Sequence, residues 1–573
     1  MDYDLLIRNG RVVDGSGMLG YQADVGVRNG KITDIGRLKG SATQTIDASG
    51  LVVSPGFIDH HTHMDAQLFW DPWVTAVPFH GVTSIVMGNC GLSLAPVKPG
   101  EGEPLISSFA RVEAIPRSIL DENIPWGWHS YGDYLDTLEG KIGVNIGGLV
   151  GHTAMRYYIM GEEAVEREAT ADEIAQMRAL LREQLEGGAL GFSSDVVEHH
   201  NRLDGKPNAA RLASWEERAS LCDVLGELNT GLFMVSRPPH MTPEIIAERG
   251  ELSGRMGRPI VWLSLSYHRH EGDLWKRQLR ALESSFRKGQ RAYGIAPITG
   301  TQSLINFMSG TATFDEYPTW KDVMLLPKEA KKQAFADEAT SEKLRAELAQ
   351  PAGTFDPNWD AIRVFDVAKP ENEVYVGKSV AEMAAGRGQD PVHAFMDLAL
   401  EEDLETTYRN SAKKNLDVMG EILRSPYVVA GMSDAGAHVL NFATYGQSTA
   451  LLGQWTRELG VFTLEQAVHK LTFHVASIWG LEGRGLLRPG YAADIAVFDP
   501  DTVEPCDVEW THDLPGGMKR LTQRAIGVHW TIVNGRVVCE DGRLHEEMPG
   551  QVLRGSAYVK RSVSKSGVPS AAR

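Results

Sequence analysis

Three histidines within four positions are the residues of this sequence best suited to chemistry. His60, His61 and His63 follow an apolar run at 51–53 and the segment 55–59 (Pro-Gly-Phe-Ile-Asp). Side chains of a β-strand alternate between its two faces, so His61 and His63 share one face and His60 takes the other. Two neutral imidazoles on one face bind zinc or a related cation readily. A solvated strand end rich in histidine is the alternative, which the apolar lead-in disfavours.

Two further residues can complete a metal shell. Cys90 lies between glycines directly after an apolar segment at 82–87, and Asp434 follows another at 427–433. In a closed barrel of parallel strands, catalytic groups come from the carboxyl ends of the strands, and the first and last strands are neighbours. Two imidazoles, a thiolate and a carboxylate would then meet, with room for a water. Considered singly, Cys90 is typical of a small packed residue, and Asp434 is typical of a turn or helix-cap residue.

The elements that position these residues alternate between strand and helix. Capping boxes such as Thr170 with Glu173 and Thr463 with Gln466 mark helix starts between the apolar segments. Eight such strands predict a (β/α)₈, TIM-like barrel. A doubly wound open sheet is the rival, and its glycine-rich phosphate loop after the first strand is missing. The candidate strands are 51–58, 82–87, 144–150, 189–194, 231–236, 259–265, 292–297 and 427–433.

Both ends of the chain read as β-structure. Asn9-Gly10 and Asn29-Gly30 each separate short apolar segments, which predicts two hairpins. The sequence Asn-Gly-Arg-Val-Val recurs at 534–538. We therefore expect one small β-sandwich domain built from both termini, residues 1–54 and 483–550, with the barrel at 55–482 inserted into it.

Two stretches depart from the regular alternation. Residues 298–426, between the seventh and eighth strands, are far longer than an ordinary connection, which predicts an insertion or a lid. Residues 555–573 are rich in Ser, Lys, Gly and Ala, which predicts a disordered tail.

Composition narrows the class of function. The 573 residues carry a net charge of −18, with 42% apolar and 23% charged residues. This charge argues against binding to nucleic acid or to an anionic membrane surface. We therefore expect a small molecule as the partner. No apolar run is long enough to span a bilayer, and the acidic N-terminus lacks a signal-peptide pattern. A cytoplasmic protein is the default, and a homo-oligomer is compatible with it. The cysteines form no disulfide framework: Cys90, Cys222, Cys506 and Cys539.

Several motifs together resemble one known family. Residues 55–63 resemble the first-strand signature of the amidohydrolase superfamily. Residues 88–96 (Gly-Asn-Cys-Gly-Leu-Ser-Leu-Ala-Pro) resemble its N-acyl-D-amino-acid deacylase branch, in which a cysteine is a metal ligand where many relatives use a carboxylated lysine. The similarity covers most of the chain, and continues at 149–156, 188–191, 432–434 and 484–490.

The resemblance implies a metal-dependent hydrolase of a C–N amide bond. His61 and His63 would hold a divalent metal, zinc before others, and Cys90 would ligate or bridge. Asp434 would complete the shell, accept a proton from the activated water and deliver it to the leaving nitrogen. We expect one ion, although two remain compatible.

The sequence also departs from the branch. A histidine expected at the end of strand five is absent from 234–237, and a His-His-Lys expected after strand six is absent from 263–267. Two metal ligands and a lysine that helps hold a substrate carboxylate are therefore missing from their expected positions. His240, His268 and His270 lie just beyond these strands and are either substitute ligands or surface residues.

Two residues are candidates for binding substrate. His152, after strand three, would contact the substrate or its oxyanion, or serve as a structural histidine. Arg237 would bind an acidic or polar substrate group, or pair with a carboxylate. Hydrolysis of a cyclic amide, carbamate or ester is the alternative activity. A non-catalytic scaffold protein that has lost metal ligands is a second alternative.

Overall fold

The computed structural model describes residues 1–236, 238, 241–268, 271–299, 302–308, 313–349, 355, 357–411 and 415–560. Their strands, in chain order, are β1 Tyr3–Val12, β2 Tyr21–Arg28, β3 Lys31–Gly36, β4 Ala42–Asp47, β5 Val52–Pro55, β6 Phe57–Asp59, β7 Val82–Met87, β8 Asn145–Gly151, β9 Gly191–Ser194, β10 Leu232–Val235, β11 Ile260–Leu263, β12 Ala292–Ala296, β13 Gln302–Asn306, β14 Ile362–Asp366, β15 Thr407–Ser411, β16 Val428–Ala430, β17 Ile495–Phe498, β18 Glu504–Leu514, β19 Met518–Ile526, β20 Val528–Val533, β21 Arg536–Glu540 and β22 Arg543–Leu544.

The α-helices are α1 Glu103–Val112, α2 Arg117–Asn123, α3 Tyr131–Leu138, α4 His152–Met160, α5 Ala171–Glu186, α6 Trp215–Glu227, α7 Pro243–Met256, α8 Leu274–Arg287, α9 Pro318–Met324, α10 Lys328–Ala336, α11 Glu338–Leu348, α12 Val380–Arg387, α13 Pro391–Glu401, α14 Leu416–Arg424, α15 Gln447–Ala450, α16 Leu464–Leu471 and α17 Phe473–Trp479. Within the described ranges, no helix is both long and apolar enough to cross a membrane.

Eight parallel strands form the barrel that the alternation predicts. They pair in the order β6-β7-β8-β9-β10-β11-β12-β16. The chain just beyond β6 meets the chain beyond β16, because Thr62 bridges Ala435 in parallel and the His63 amide donates to the Ala435 carbonyl over 2.7 Å. The side chains that follow the first and eighth strands are thereby neighbours, as barrel closure requires.

The predicted first strand is two strands that belong to different sheets. β5 pairs with β1 and β17 of the small β domain, whereas β6 pairs with β7 of the barrel. Pro55 and Gly56 make the break. A methyl group at Gly56 would lie 2.1 Å from a side-chain carbon of Thr83, so only glycine lets the chain pass this close to β7.

The terminal segments share one β-rich domain. A nine-stranded sheet joins β1–β5 to β17 and β20–β22 around a buried apolar cluster that includes Val25, Val53 and Ile495. Asn29-Gly30 and Asn534-Gly535 are tight turns between paired strands. The hairpin predicted at Asn9-Gly10 is wrong: β1 continues through it, and Asn9, with φ of 60°, forms a bulge where the β1–β2 register shifts.

The stretch 298–426 is largely a subdomain with a core of its own. β13, β15 and β14 form a three-stranded antiparallel sheet covered by α9–α13. Its apolar cluster includes Phe307, Trp320 and Phe395. Arg111, at the end of α1, binds both carboxylate oxygens of Asp315 at 2.8 and 2.9 Å, and so ties this insertion to the barrel mouth.

The last described residues pack against the opposite end of the barrel. The amides of Gly550, Leu553 and Val559 donate over 2.7–2.9 Å to the carbonyls of Ile142 and Ile146, before and at the start of β8, and of Glu186, at the end of α5. Residues 555–560 take part in this packing, and the disordered tail expected at 555–573 stays a prediction. Residues 561–573 lie outside the described part of the chain.

Candidate metal centre

The histidines after β6 alternate faces as strand geometry requires. The Nε2 atoms of His61 and His63 lie 3.1 and 3.8 Å from Oδ1 of Asp434. His60 points the other way, where its ring lies 4.7 Å from that of Trp479 and is tilted by 33° against it. His61 is fully buried, whereas the Asp434 side chain keeps 15% of its surface exposed. The carboxylate is therefore the part of the group that a substrate can reach.

Cys90 joins this group from the loop after β7. Its Sγ lies 3.6 Å from Nε2 of His61, and one ligand atom each of His61, His63 and Cys90 lie within 4.8 Å of one another. Cys90 has a φ of 50°, between two glycines with positive φ. Ser193 clamps this loop, because its hydroxyl accepts from the Gly91 amide at 3.1 Å and donates to the Gly88 carbonyl at 2.5 Å.

The electrostatics of the group suit a cation. Burial raises the pKa of the Cys90 thiol well above its usual value, and the carboxylates of Asp195, Asp434 and Glu113 raise it further. Burial and neighbouring carboxylates also raise the pKa of Glu113. Burial alone would raise the pKa of Asp434, but hydrogen bonding and positive charge from the histidines lower it to about 2. A divalent ion would stabilise the thiolate and carboxylates together, so these donors fit one.

Glu113 is a site residue that the sequence did not reveal. It follows α1, is buried, and places Oε1 3.1 Å from Nδ1 of His63, the ring nitrogen turned away from Asp434. Its Oε2 lies 3.9 Å from Nε2 of His438. A carboxylate behind a ligating histidine fixes the orientation of its ring. Glu113 ends a loop helix far from any recognisable motif, so no sequence signal marks it.

His152 lies in a closed network. Its Nδ1 and Nε2 contact the Ser194 hydroxyl and the Glu217 carboxylate, each at 2.9 Å. Arg156 donates to both oxygens of Glu217, at 2.6 and 2.5 Å. All three side chains of the ion network are fully buried. Both ring nitrogens of His152 are thus occupied by protein groups, which fits its structural alternative and leaves neither nitrogen for a substrate.

The segments where two ligands were expected bring other groups to the site. After β10 the structure has Ser236, whose hydroxyl donates to Asp195. Arg237, His240 and His270 lie outside the described residues. His268 is described, and within that part of the chain the cluster that could hold a metal ion does not include it.

Comparison with known proteins supplies the family. The sequence profile described as "Amidohydrolase family" matches residues 44–539. The chain belongs to the amidohydrolase family. Among curated members, a D-aminoacylase of Alcaligenes xylosoxydans xylosoxydans is 30% identical over 97% of this chain and 98% of its own length. An N-acyl-D-glutamate deacylase of the same organism is 28% identical, with 97% of each chain covered.

Solved structures of amidohydrolases agree with this assignment. A D-aminoacylase studied for one-metal activation and second-metal attenuation of its binuclear centre is 28% identical, with a TM-score of 0.65, and the match covers 96% of this chain and 100% of that one. The N-acyl-D-glutamate deacylase of Bordetella bronchiseptica, complexed with zinc and a phosphonate inhibitor, is 26% identical, with a TM-score of 0.66 and coverage of 97% and 100%.

Proposed function

We propose that this amidohydrolase is a zinc-dependent deacylase of N-acyl amino acids. His61, His63, Cys90 and Asp434 would hold one metal ion. The observation that carries the proposal is the convergence of two imidazole nitrogens, a thiol and a carboxylate at the carboxyl ends of the barrel strands. Relatives of almost equal length that are named as deacylases support the amide as the bond cleaved.

Bound at this site, a divalent metal supplies the positive charge that acidifies a water and polarises the substrate carbonyl. Asp434 accepts the proton of the attacking water, because its carboxylate is ionised and partly open to the barrel mouth. The Nε2 atoms of His61 and His63 lie 3.1 and 3.8 Å from that carboxylate, so the residues that would hold the metal lie next to the base. Release of the amine then requires a proton at the leaving nitrogen.

The substrate side of the site differs from that of the branch. The lysine that the resemblance led us to expect after strand six is missing, and Arg237 is our candidate for binding a substrate carboxylate. His152 is no longer a candidate for direct contact, since its two nitrogens bond to Ser194 and Glu217. The substrate panel below therefore tests which amino-acid side chain and which configuration, D or L, the enzyme accepts.

A substrate panel with one variant tests the proposed function. We would assay N-acetyl amino acids of both hands, together with a hydantoin, a carbamate and an ester. Asp434→Asn, assayed with zinc bound, should reduce turnover by at least about 1,000-fold, because the amide cannot accept the water proton. Asp121→Asn, at an exposed ion pair on α2, is the matched control. Undiminished turnover by Asp434→Asn would refute the role of the carboxylate.

We also propose a reducing, cytoplasmic setting. Cys90, Cys222, Cys506 and Cys539 are all free in the structure, as a reducing compartment allows. Mass analysis under non-reducing conditions should find four titratable thiols after metal removal.

A further inference from the structure

The loop after β9 carries a carboxylate–imidazole pair that the metal centre does not use. Asp195 is fully buried, and its Oδ2 lies 2.8 Å from Nδ1 of His200. Its Oδ1 accepts from the Ser236 hydroxyl at 2.5 Å and from the Val197 amide at 3.0 Å. A carboxylate held this firmly fixes the tautomer and the orientation of the imidazole that it binds.

Neighbouring elements hold the pair rigidly. The guanidinium of Arg218, on α6, donates to the Asp195 carbonyl and to the Ser194 hydroxyl, each at 3.0 Å. Ser236 follows β10, in the segment where the branch was expected to supply a histidine ligand. The end of the fifth barrel strand therefore supports Asp195 here, rather than a metal.

The pair faces the metal centre from across the barrel mouth. β9 is the fourth barrel strand and β16 the eighth, so Asp195 and Asp434 enter from opposite sides. Asp195 also lies against the cysteine loop, since a methyl group at Gly91 would come within 3.1 Å of the Asp195 amide nitrogen. The His200 side chain is 16% exposed, and within the described part of the chain no protein group bonds its Nε2.

We infer that His200, oriented by Asp195, is a second acid–base residue of the hydrolase and protonates the leaving nitrogen. This inference rests on the proposed function and divides its proton transfers between two residues. Asp434 takes one proton as water adds to the carbonyl. When the C–N bond breaks, its electron pair stays on nitrogen, which takes the proton from Nε2 of His200. The proton on Asp434 then passes through solvent to His200, so one water is consumed and both residues return to their initial states.

Several charged groups act on His200 and enter any pH dependence. Burial raises the pKa of Asp195, and the charge of His200 and its hydrogen bond lower it. Burial lowers the pKa values of His63, His199 and His438, and the charge of His200 lowers them further. The groups that face it are Asp195, Asp315, His63, His199 and His438.

The first test compares two adjacent histidines. In His200→Gln, kcat for the best N-acetyl amino acid should fall by about 100-fold or more, with KM within threefold and metal content unchanged. The alkaline limb of the kcat profile should also disappear, since that limb reports loss of the acid's proton. His199→Gln should keep kcat and KM within threefold of wild type, keep its metal content and retain an alkaline limb. Equal behaviour of the two variants would overturn the inference.

Leaving-group chemistry gives a second, independent readout. Hydrolysis of p-nitrophenyl acetate needs no protonation of the leaving phenolate, so His200→Gln should retain ester cleavage, whereas Asp434→Asn should lose it along with amide cleavage. Equal loss of ester and amide cleavage in His200→Gln would show a structural role and refute the acid role.

Chemical rescue distinguishes loss of the acid from a folding defect. His200→Gly should regain amide hydrolysis with added imidazole, and no response would count against the acid role. Failure of the proposed function looks different, because wild-type protein loaded with zinc would then cleave none of the N-acetyl amino acids.

Discussion

Three of the histidine–carboxylate contacts around the barrel mouth differ in their surroundings, and these surroundings give them different roles. His61 with Asp434 has a thiol beside it and a carboxylate edge that stays exposed. His152 with Glu217 is sealed and shares its carboxylate with an arginine. His200 with Asp195 leaves one imidazole nitrogen directed to no protein group in the described chain. The residue types are alike in all three contacts, so they do not assign the roles. The contacts differ in the exposure of their side chains and in the third group that each includes.

The sealed pair predicts a pH-dependent loss of stability. Burial alone would raise the pKa of Glu217, but His152 and Arg156 lower it to about 2. The unfolded state binds this proton near pH 4.5, so the contribution of Glu217 is complete above that pH and is lost as the pH falls towards 2. Glu217→Gln should lower the free energy of unfolding by about 3 kcal/mol at pH 7, and by progressively less below pH 4.5.

Urea unfolding of wild type and Glu217→Gln at pH 7 and pH 3.5 measures this difference. Equal stability at pH 7 would show that the Glu217 carboxylate does not stabilise the fold. His152 would then again be a candidate for binding substrate.

At the scale of elements, the sequence predicted the eight barrel strands, because each is a short apolar segment between turn or cap signals. It misassigned residues 52–55 because periodicity cannot tell which sheet a strand joins. It also missed the bulge at Asn9, since Asn-Gly favours a positive φ whether or not the chain reverses. Glu113, Asp195 and His200 come from loops, whose paths follow no hydrophobic period.

The loop after β7 predicts the effect of one methyl group. At Gly88, with φ of 75°, a methyl carbon would lie 2.0 Å from the Leu149 carbonyl oxygen. Gly88→Ala should therefore displace the Cys90 loop, destabilise the protein by about 2–3 kcal/mol and weaken metal binding. Gly100→Ala is the matched control, because φ is 78° there and nothing lies within 4 Å of the added methyl group. Thermal unfolding and zinc competition with a chelator would measure both effects.

A wild-type zinc affinity in Gly88→Ala would contradict this account of the loop. The control should lose about 1 kcal/mol, the cost of the positive φ alone.

At the scale of the whole molecule, the terminal segments of the chain pack against each other and against the barrel. The termini build one sheet, as the repeated Asn-Gly-Arg-Val-Val segment suggested. The packing of residues 549–560 was not predictable, because their polar composition resembles a tail and their hydrogen bonds are to backbone carbonyls, which have no sequence signature. The insertion was predicted by its length, but its separate core of aromatic side chains was not.

Truncation tests whether the segment 549–560, whose packing its composition did not predict, stabilises the barrel. A chain ending at residue 548 loses the hydrogen bonds from Gly550, Leu553 and Val559, and should unfold at a midpoint several degrees lower. A chain ending at residue 560 keeps them and should match the full-length protein. Equal midpoints for the two truncations would mean that the segment contributes nothing to the barrel.

The central claim is that one metal ion, held by His61, His63, Cys90 and Asp434, makes this protein an amide hydrolase. The most direct measurement titrates zinc into metal-free protein while hydrolysis of the best N-acetyl amino acid is followed. We predict that activity rises to a plateau at one equivalent, and that Cys90→Ser binds zinc far more weakly, whereas Cys222→Ser, a buried cysteine on α6, does not. Activity that is independent of metal, or that reaches its plateau only at two equivalents, would contradict the account.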